Sequence, residues 1–275
     1  MKTIIVPTDY SAAAIHATDY AGQLAKTLRA GLILLHVFQR PTLISTTLEV
    51  NSVNRMALEH EEKLTLLAEQ LTETYGIEVD KIATTGHLPE ILDELVKQKQ
   101  AELVVIGMHA LSTAERLLVG STTTTVMEYA NYPLLIVPQE ATFKPLKHML
   151  LACEYQYLTG QTKLPVLRDL ALGSGGEIEV LHIEEPEMVA GKIGERVQTG
   201  QYLDRMLKGV AHSYAFVERD DITEGILQRI QTFQADLLAL VPREHGIWDI
   251  LFNRSTTRKL IWQMHIPLLV LPNHA

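Results

Sequence analysis

The chain has 275 residues, enough for one large domain or two ordinary ones, and it is 47% hydrophobic and 21% charged. That composition excludes a disordered chain, and a net charge of −9 without a Lys/Arg cluster argues against a nucleic-acid partner. Cys153 is the only cysteine, so no disulfide can form within the chain, which fits a reducing compartment.

Met1 to Pro7 carries too short an apolar run for a signal peptide and reads as a strand over Ile4–Val6. Ala14, Thr18, Ala21, Ala25 and Leu28 then step by four and three, one face of a helix. Leu32–Val37 is a second buried strand, and Leu64, Leu67, Leu71 and Tyr75 mark a second helix. Strand Val79–Thr84 follows, and then Pro89 opens a third helix with Ile91, Leu92, Leu95 and Val96 inward. Strand Leu103–Ile106, a loop, a helix from about Thr123 and strand Leu134–Val137 complete the series. Runs such as Leu103–Ile106 and Leu134–Val137 are far below the ~20 residues that span a bilayer, so no membrane partner and a cytoplasmic location are expected.

From Lys147 the pattern starts again. Lys2 to Tyr10 (KTIIVPTDY) matches Lys147 to Tyr155 (KHMLLACEY), and Ile33 to Val37 matches Glu179 to Ile183 with His36 on His182. Ser121-Thr-Thr and Pro133 to Pro138 match Ser255-Thr-Thr and Pro267 to Pro272. Chance similarity does not keep register over separate blocks in order, so the chain reads as a tandem duplication. The offset falls from 146 (His36 to His182) to 134 (Ser121 to Ser255), which places a 12-residue deletion in the second copy, and Gln39–Asn54 has the look of the loop that was trimmed. The boundary is expected near Gln139–Lys144, giving domains 1–140 and 145–275.

Alternating strands and helices predict an α/β fold: in each copy an open, mainly parallel five-stranded sheet with helices on both faces. The last strands, Leu134–Val137 and Leu268–Leu271, are apolar, short and bounded by Pro133/Pro138 and Pro267/Pro272. Each would otherwise be an exposed edge, so they are expected to pair with each other.

In such a sheet ligands sit beyond the carboxyl ends of the strands. One candidate loop is Pro7-Thr8-Asp9-Tyr10-Ser11, and the other runs from Gly107 through Ala110 to Gly120-Ser121-Thr122-Thr123. The second has the parts of a phosphate cradle: glycines for close backbone approach, hydroxyl donors and a following helix N-terminus. The same residues serve equally as turn glycines and a helix cap, and spacing alone does not separate the two.

The order of elements resembles the universal stress protein family. So do the Val-Pro-Thr-Asp start, the Leu-His-Val end of the second strand, Gly86-x-x-Pro89, Glu-Leu-Val-Val-Ile-Gly107 and the closing Pro-Leu-Leu-Ile-Val-Pro. The resemblance covers the first copy end to end and the second with erosion. It implies a Rossmann-like, adenine nucleotide alpha hydrolase-like fold. Nucleotide-binding members carry Gly-x-x-Gly, nine residues, then Gly-Ser/Thr, and this chain has Gly107-x-x-Ala110, nine residues, Gly120-Ser121. By that resemblance Asp9 and Val37 address the adenosine part, Gly107, Gly120, Ser121 and Thr122 hold ribose and phosphates, and Pro7, Thr8 and Ala110 belong to the same nucleotide site. If position 110 needs a positive φ, alanine costs on the order of 1 kcal/mol there. In the second copy Glu154, Val241, Glu244 and Arg254 replace Asp9, Gly107, Ala110 and Gly120, which reads as a structural or partner-binding half.

The function expected is a non-enzymatic stress-response protein that binds ATP or a related adenine nucleotide, with Mg2+ held by the phosphates, and that engages protein partners or a second copy of itself as a homodimer. An interaction scaffold without nucleotide and a slow ATPase are the alternatives. No catalytic residue is nominated, since a Walker lysine, a nucleophile elbow and paired carboxylates are all missing. No His/Cys/Asp set has metal-ligand spacing. Gly173-Ser174-Gly175-Gly176 precedes a strand and reads as a turn; His36 and His182 read as packed strand-end histidines, Cys153 as a buried inert thiol, and the threonines from Thr122 as helix-start capping.

Overall fold

β-Branched and leucine-rich runs joined by helices leave no short hairpin route between neighbouring strands, and the computed structural model is accordingly a mainly parallel α/β protein. The structure describes residues 2–38, 47–108, 126, 130–153, 158, 162–184, 193–218, 221–241 and 265–272, without the side chains of 47–56, 184, 193–199 and 218. Two compact units are present, Met1–Ala130 and Asn131–Ala275.

The first unit holds β1 (Thr3–Pro7), α1 (Ala12–Leu28), β2 (Gly31–Phe38), α2 (Thr47–Tyr75), β3 (Val79–Thr85), α3 (Leu88–Lys99) and β4 (Leu103–Met108). Its strands lie in the order β3-β2-β1-β4, with all described pairings parallel. Ile4, Ile5 and Val6 are consecutive and fully buried, as a strand covered on both faces requires. Ser11 caps α1, its hydroxyl accepting from the Ala14 amide at 3.3 Å. The α1 face of Ala14, Ala17, Thr18, Ala21 and Ala25 is buried against β1, β2 and β4, and its small side chains let the helix lie close. On α2 the stripe Leu64, Ala68 and Leu71 is buried, against β2 and β3. Pro89 stands in the first turn of α3, and Leu92 and Leu95 face inward.

The second unit holds β5 (Leu134–Pro138), β6 (His148–Ala152), α4 (Leu164–Ser174), β7 (Glu177–Glu184), α5 (Ile193–Met206), β8 (His212–Glu218), α6 (Ile222–Phe233), β9 (Leu237–Leu240) and β10 (Leu268–Val270). Strand order is β5-β10-β9-β6-β7-β8, parallel throughout except for β5 on β10. That pair is antiparallel, with Leu268 on Ile136, Leu269 on Leu135 and Val270 on Leu134. The two proline-bounded strands therefore pair with each other, as expected. Because its partner is β10, the Leu134–Pro138 strand clusters with the second unit, and the division falls at 130/131.

The trimmed segment differs in kind from the loop expected. Residues 39–46 lie outside the described ones, but Thr47 onward is helix: α2 runs for 29 residues and α5 for 14. The helix described in the second unit is thus the shorter one. Periodicity could not show this, because the added turns need not bury an apolar face. The helix expected from Thr123 lies outside the described residues apart from Val126, which is buried. The Gly173–Gly176 run is a helix end: Gly175 caps α4 at φ 61°, and a Cβ on Gly176 would stand 2.2 Å from the Leu146 carbonyl oxygen.

Candidate functional site

Parallel register sets the site. Pro7 pairs with Leu35, so continuing β1 and β2 by two residues places Asp9 level with Val37. On the other side Ile5 pairs with Val104, and continuing by three residues brings Thr8 level with Gly107. Pro7, Thr8, Asp9, Val37 and Gly107 thus gather at the carboxyl ends of the neighbouring strands β2, β1 and β4, where α1 begins. Ala110, Gly120, Ser121 and Thr122 lie outside the described residues, as do Glu154, Glu244 and Arg254 of the second copy.

The β1–α1 loop is tightly organised. The Thr8 amide donates to the Leu35 carbonyl at 2.8 Å, and the buried Thr8 hydroxyl accepts from the Tyr10 amide at 3.1 Å. Asp9 is exposed, and its Oδ1 accepts from the Ser11 amide at 3.0 Å. Tyr10 takes the left-handed conformation at φ 64°, an unusual state for a non-glycine residue that turns the chain sharply into α1. The result is an exposed carboxylate, a row of strand-end backbone groups and a helix N-terminus on one side of the sheet. Such a set can hydrogen-bond a planar base and approach an anion.

Gly107 has a packing reason of its own. A Cβ there would lie 2.2 Å from the Ala13 carbonyl oxygen and 2.6 Å from its carbon. The end of β4 therefore abuts the first turn of α1 backbone to backbone, and the glycine is needed whether or not a ligand binds.

Beside these residues sits an aromatic cluster that sequence reading did not assemble. His36 is 6% exposed, and its Nδ1 lies 2.7 Å from the Thr8 carbonyl oxygen, which can only accept, so Nδ1 carries the proton. The His60 ring of α2 lies 4.2 Å from it between centroids, Tyr10 lies 4.7 Å from His36, and Phe38 packs 5.0 Å from His60. Tyr10 donates its hydroxyl to the His60 carbonyl at 3.1 Å. Burial pushes the Tyr10 phenol up to about 12. His60 is held below the ordinary histidine value, by burial first and then by the positive potential of His36 and Lys63 against Glu59. The missed signal was spacing: His60, Leu64, Ala68 and Leu71 step by four, four and three, so His60 extends the buried stripe of α2. His36 was read as a packed histidine, and packed it is.

The described residues of the second unit differ at the matching places. α4 begins at Leu164, the residue matching Thr18, because Pro165 matches Asp19 and a proline there cannot lie in a helix interior. His182 Nδ1 stands 3.4 Å from the Cys153 carbonyl, and Cys153 is buried and in no disulfide. Among the described residues no group of three or more His, Cys, Asp or Glu could hold a metal ion, and no helix is long and apolar enough to cross a membrane.

Known proteins carry the same plan. A universal stress protein of Mycolicibacterium smegmatis is 31% identical over 143 residues, which cover 49% of this chain and 47% of the relative. A universal stress protein of Methanocaldococcus jannaschii is 28% identical over 156 residues, covering 50% of this chain and 96% of the relative. The crystal structure of a universal stress protein from Archaeoglobus fulgidus superposes with a TM-score of 0.74 at 18% identity, over 98% of this chain and 97% of that one, and so shares the fold. The profile of the universal stress protein family matches residues 1–138, and to that family the chain belongs.

Proposed function

We propose that the chain is a tandem stress-response protein of domains 1–140 and 145–275 whose first domain binds ATP or a related adenine nucleotide without turning it over. The observation that carries this reading is the gathering of Pro7, Thr8, Asp9, Val37 and Gly107 at one end of β1, β2 and β4, around the start of α1. Asp9 and the backbone at Val37 would address the adenosine part. Ser121 and Thr122, with Gly120 giving backbone access, would hold ribose and phosphates, and a bound Mg2+ would ride on the phosphates. The second domain, with Val241 where the first has Gly107 and with a later-starting helix, serves as a structural or partner-binding half.

Both tryptophans, Trp248 and Trp262, lie in the second copy. Saturating ATP should therefore leave tryptophan emission nearly unchanged while protecting amides of residues 8–14 and 107–126 from exchange. Strong quenching with protection of 241–259 would reverse the assignment of the two copies. Protection of neither loop would favour a scaffold without nucleotide, and steady release of phosphate would make the protein an ATPase. Calorimetry adds a finer check: Ala110→Gly should tighten ATP binding, and Gly120→Arg, which copies the second domain, should abolish it.

A further inference from the structure

α2 meets the carboxyl ends of β1 and β2 through two imidazoles. His36 Nε2 and His60 Nδ1 are both sealed from solvent, and neither has a hydrogen-bond partner among the described residues. His60 as a whole is half-buried, but that nitrogen is covered. Around the pair stand Tyr10 and Phe38, with Lys63 Nζ 5.7 Å from the centre of the Tyr10 ring. The Tyr10 hydroxyl, bonded to the His60 carbonyl, ties the β1–α1 loop to α2 at the same place.

We propose that this imidazole pair is an acid-sensitive latch, which holds α2 against the β1–α1 loop while both rings are neutral and releases it when either ring takes a second proton. The reason is electrostatic. His36 already uses Nδ1–H on Thr8, so a further proton must enter at the sealed Nε2. A proton on His60 puts a cation against the neighbouring ring, 4.2 Å away. Among the described residues the groups facing His60 do not outweigh that cost. On α2 Glu59 favours a charged His60 and Lys63 opposes it; from the loop the Tyr10 phenol is neutral; from β3 Ala83 and Thr85 stand level with His36 and Phe38. Asp9, the nearest carboxylate in the loop, is exposed and accepts from the Ser11 amide. Because the folded value of His60 is depressed, the neutral pair is favoured above the ordinary histidine value of 6.5 and the latch weakens as pH falls below it.

The latch stands on this geometry alone; only its effect on nucleotide rests on the function proposed above. Its test is hydrogen exchange of the full chain from about pH 7.5 to about pH 5.5, corrected for intrinsic rates. Amides of residues 8–12 and 57–66 should lose protection roughly tenfold or more on acidification, while those of β6 and β7 keep theirs. His60→Phe retains an aromatic ring and the carbonyl held by Tyr10, and should make the acid step clearly smaller, leaving only the part that His36 carries. An equal step in His60→Phe, or none in the parent, overturns the latch. If that variant does not fold, the ring resonances of His60 in the parent decide: a titration depressed below the ordinary histidine value supports the latch, and one at the ordinary value overturns it. ATP affinity that falls with acid more steeply in the parent than in His60→Phe supports control of the site. Absence of ATP binding at both pH values would overturn the nucleotide reading and leave the exchange data to judge the latch.

Discussion

Gly107 shows how a single position can be claimed by two explanations. Its missing side chain suits a phosphate loop, yet the Ala13 carbonyl 2.2 Å from the place of a Cβ already demands glycine. Gly107→Ala should therefore lower stability by about 1–3 kcal/mol with no ligand present, as a fall in the denaturant midpoint at unchanged slope. A second residue-scale contrast lies in the core. Ile33 and Leu95 of the first copy are matched by Glu179 and Arg229 in the second, where the guanidinium makes two bonds to the carboxylate at 2.5 Å. Glu179 is 5% exposed, whereas the Arg229 side chain is 33% exposed, so solvent screens part of the attraction. Arg229→Leu should cost about 2–3 kcal/mol by leaving Glu179 buried and unpaired. The double change Glu179→Ile with Arg229→Leu, which restores the first copy's pair, should be far closer to neutral, and chemical denaturation of the three proteins measures both.

Among elements, the starts of helices were more legible than their lengths. Ser11 before an alanine-rich stretch and Pro89 before Ile91 and Leu92 announce α1 and α3 in the sequence, since a cap and an N-terminal proline act locally. Pro165 announces the late start of α4 by the same physics, but only when set against Asp19 of the other copy. The 29-residue reach of α2 had no such marker. Between α5 and β8 the structure adds a polar clasp: Asp204 Oδ1 accepts from the Tyr214 hydroxyl at 2.6 Å and lies 3.0 Å from His212 Nε2. Those two bonds hold the Asp204 carboxyl below its usual range. Burial opposes charge on His212, but its bonds to Asp204 and to the Val210 carbonyl together outweigh that and raise it. The sign follows for each. The Asp204 contribution is present above its unfolded value and is lost as pH falls through the folded one; that of His212 is full below 6.5 and fades as pH rises through its folded value. Asp204→Asn should therefore cost most at weakly acidic pH, about pH 5–6, and less at about pH 8, as read by melting temperature across that range.

At the scale of the molecule, the antiparallel seam of β5 on β10 is the feature whose loss should be felt most widely. Leu269 is fully buried and stands opposite Leu135, so Leu269→Lys puts a charge where neither water nor a partner reaches it. Stability should fall by about 3 kcal/mol or more, with exposure of the apolar strand edges and aggregation visible by light scattering. The fold class, the succession of strands and helices, the internal repeat and the pairing of the two proline-bounded strands could all be read from the chain. Each rests on local periodicity, on backbone groups that must be paired or on repeated segments in register, and these signals survive without knowledge of tertiary neighbours. Tertiary structure alone decided why Gly107 must be glycine, which unit holds β5, and that His36, His60, Tyr10 and Phe38 form one cluster. Those outcomes depend on distances between residues far apart in the chain, such as Ala13 and Gly107, 94 positions apart, and a linear pattern of residue types carries no information about a 2.2 Å approach until the sheet has set strand and helix side by side.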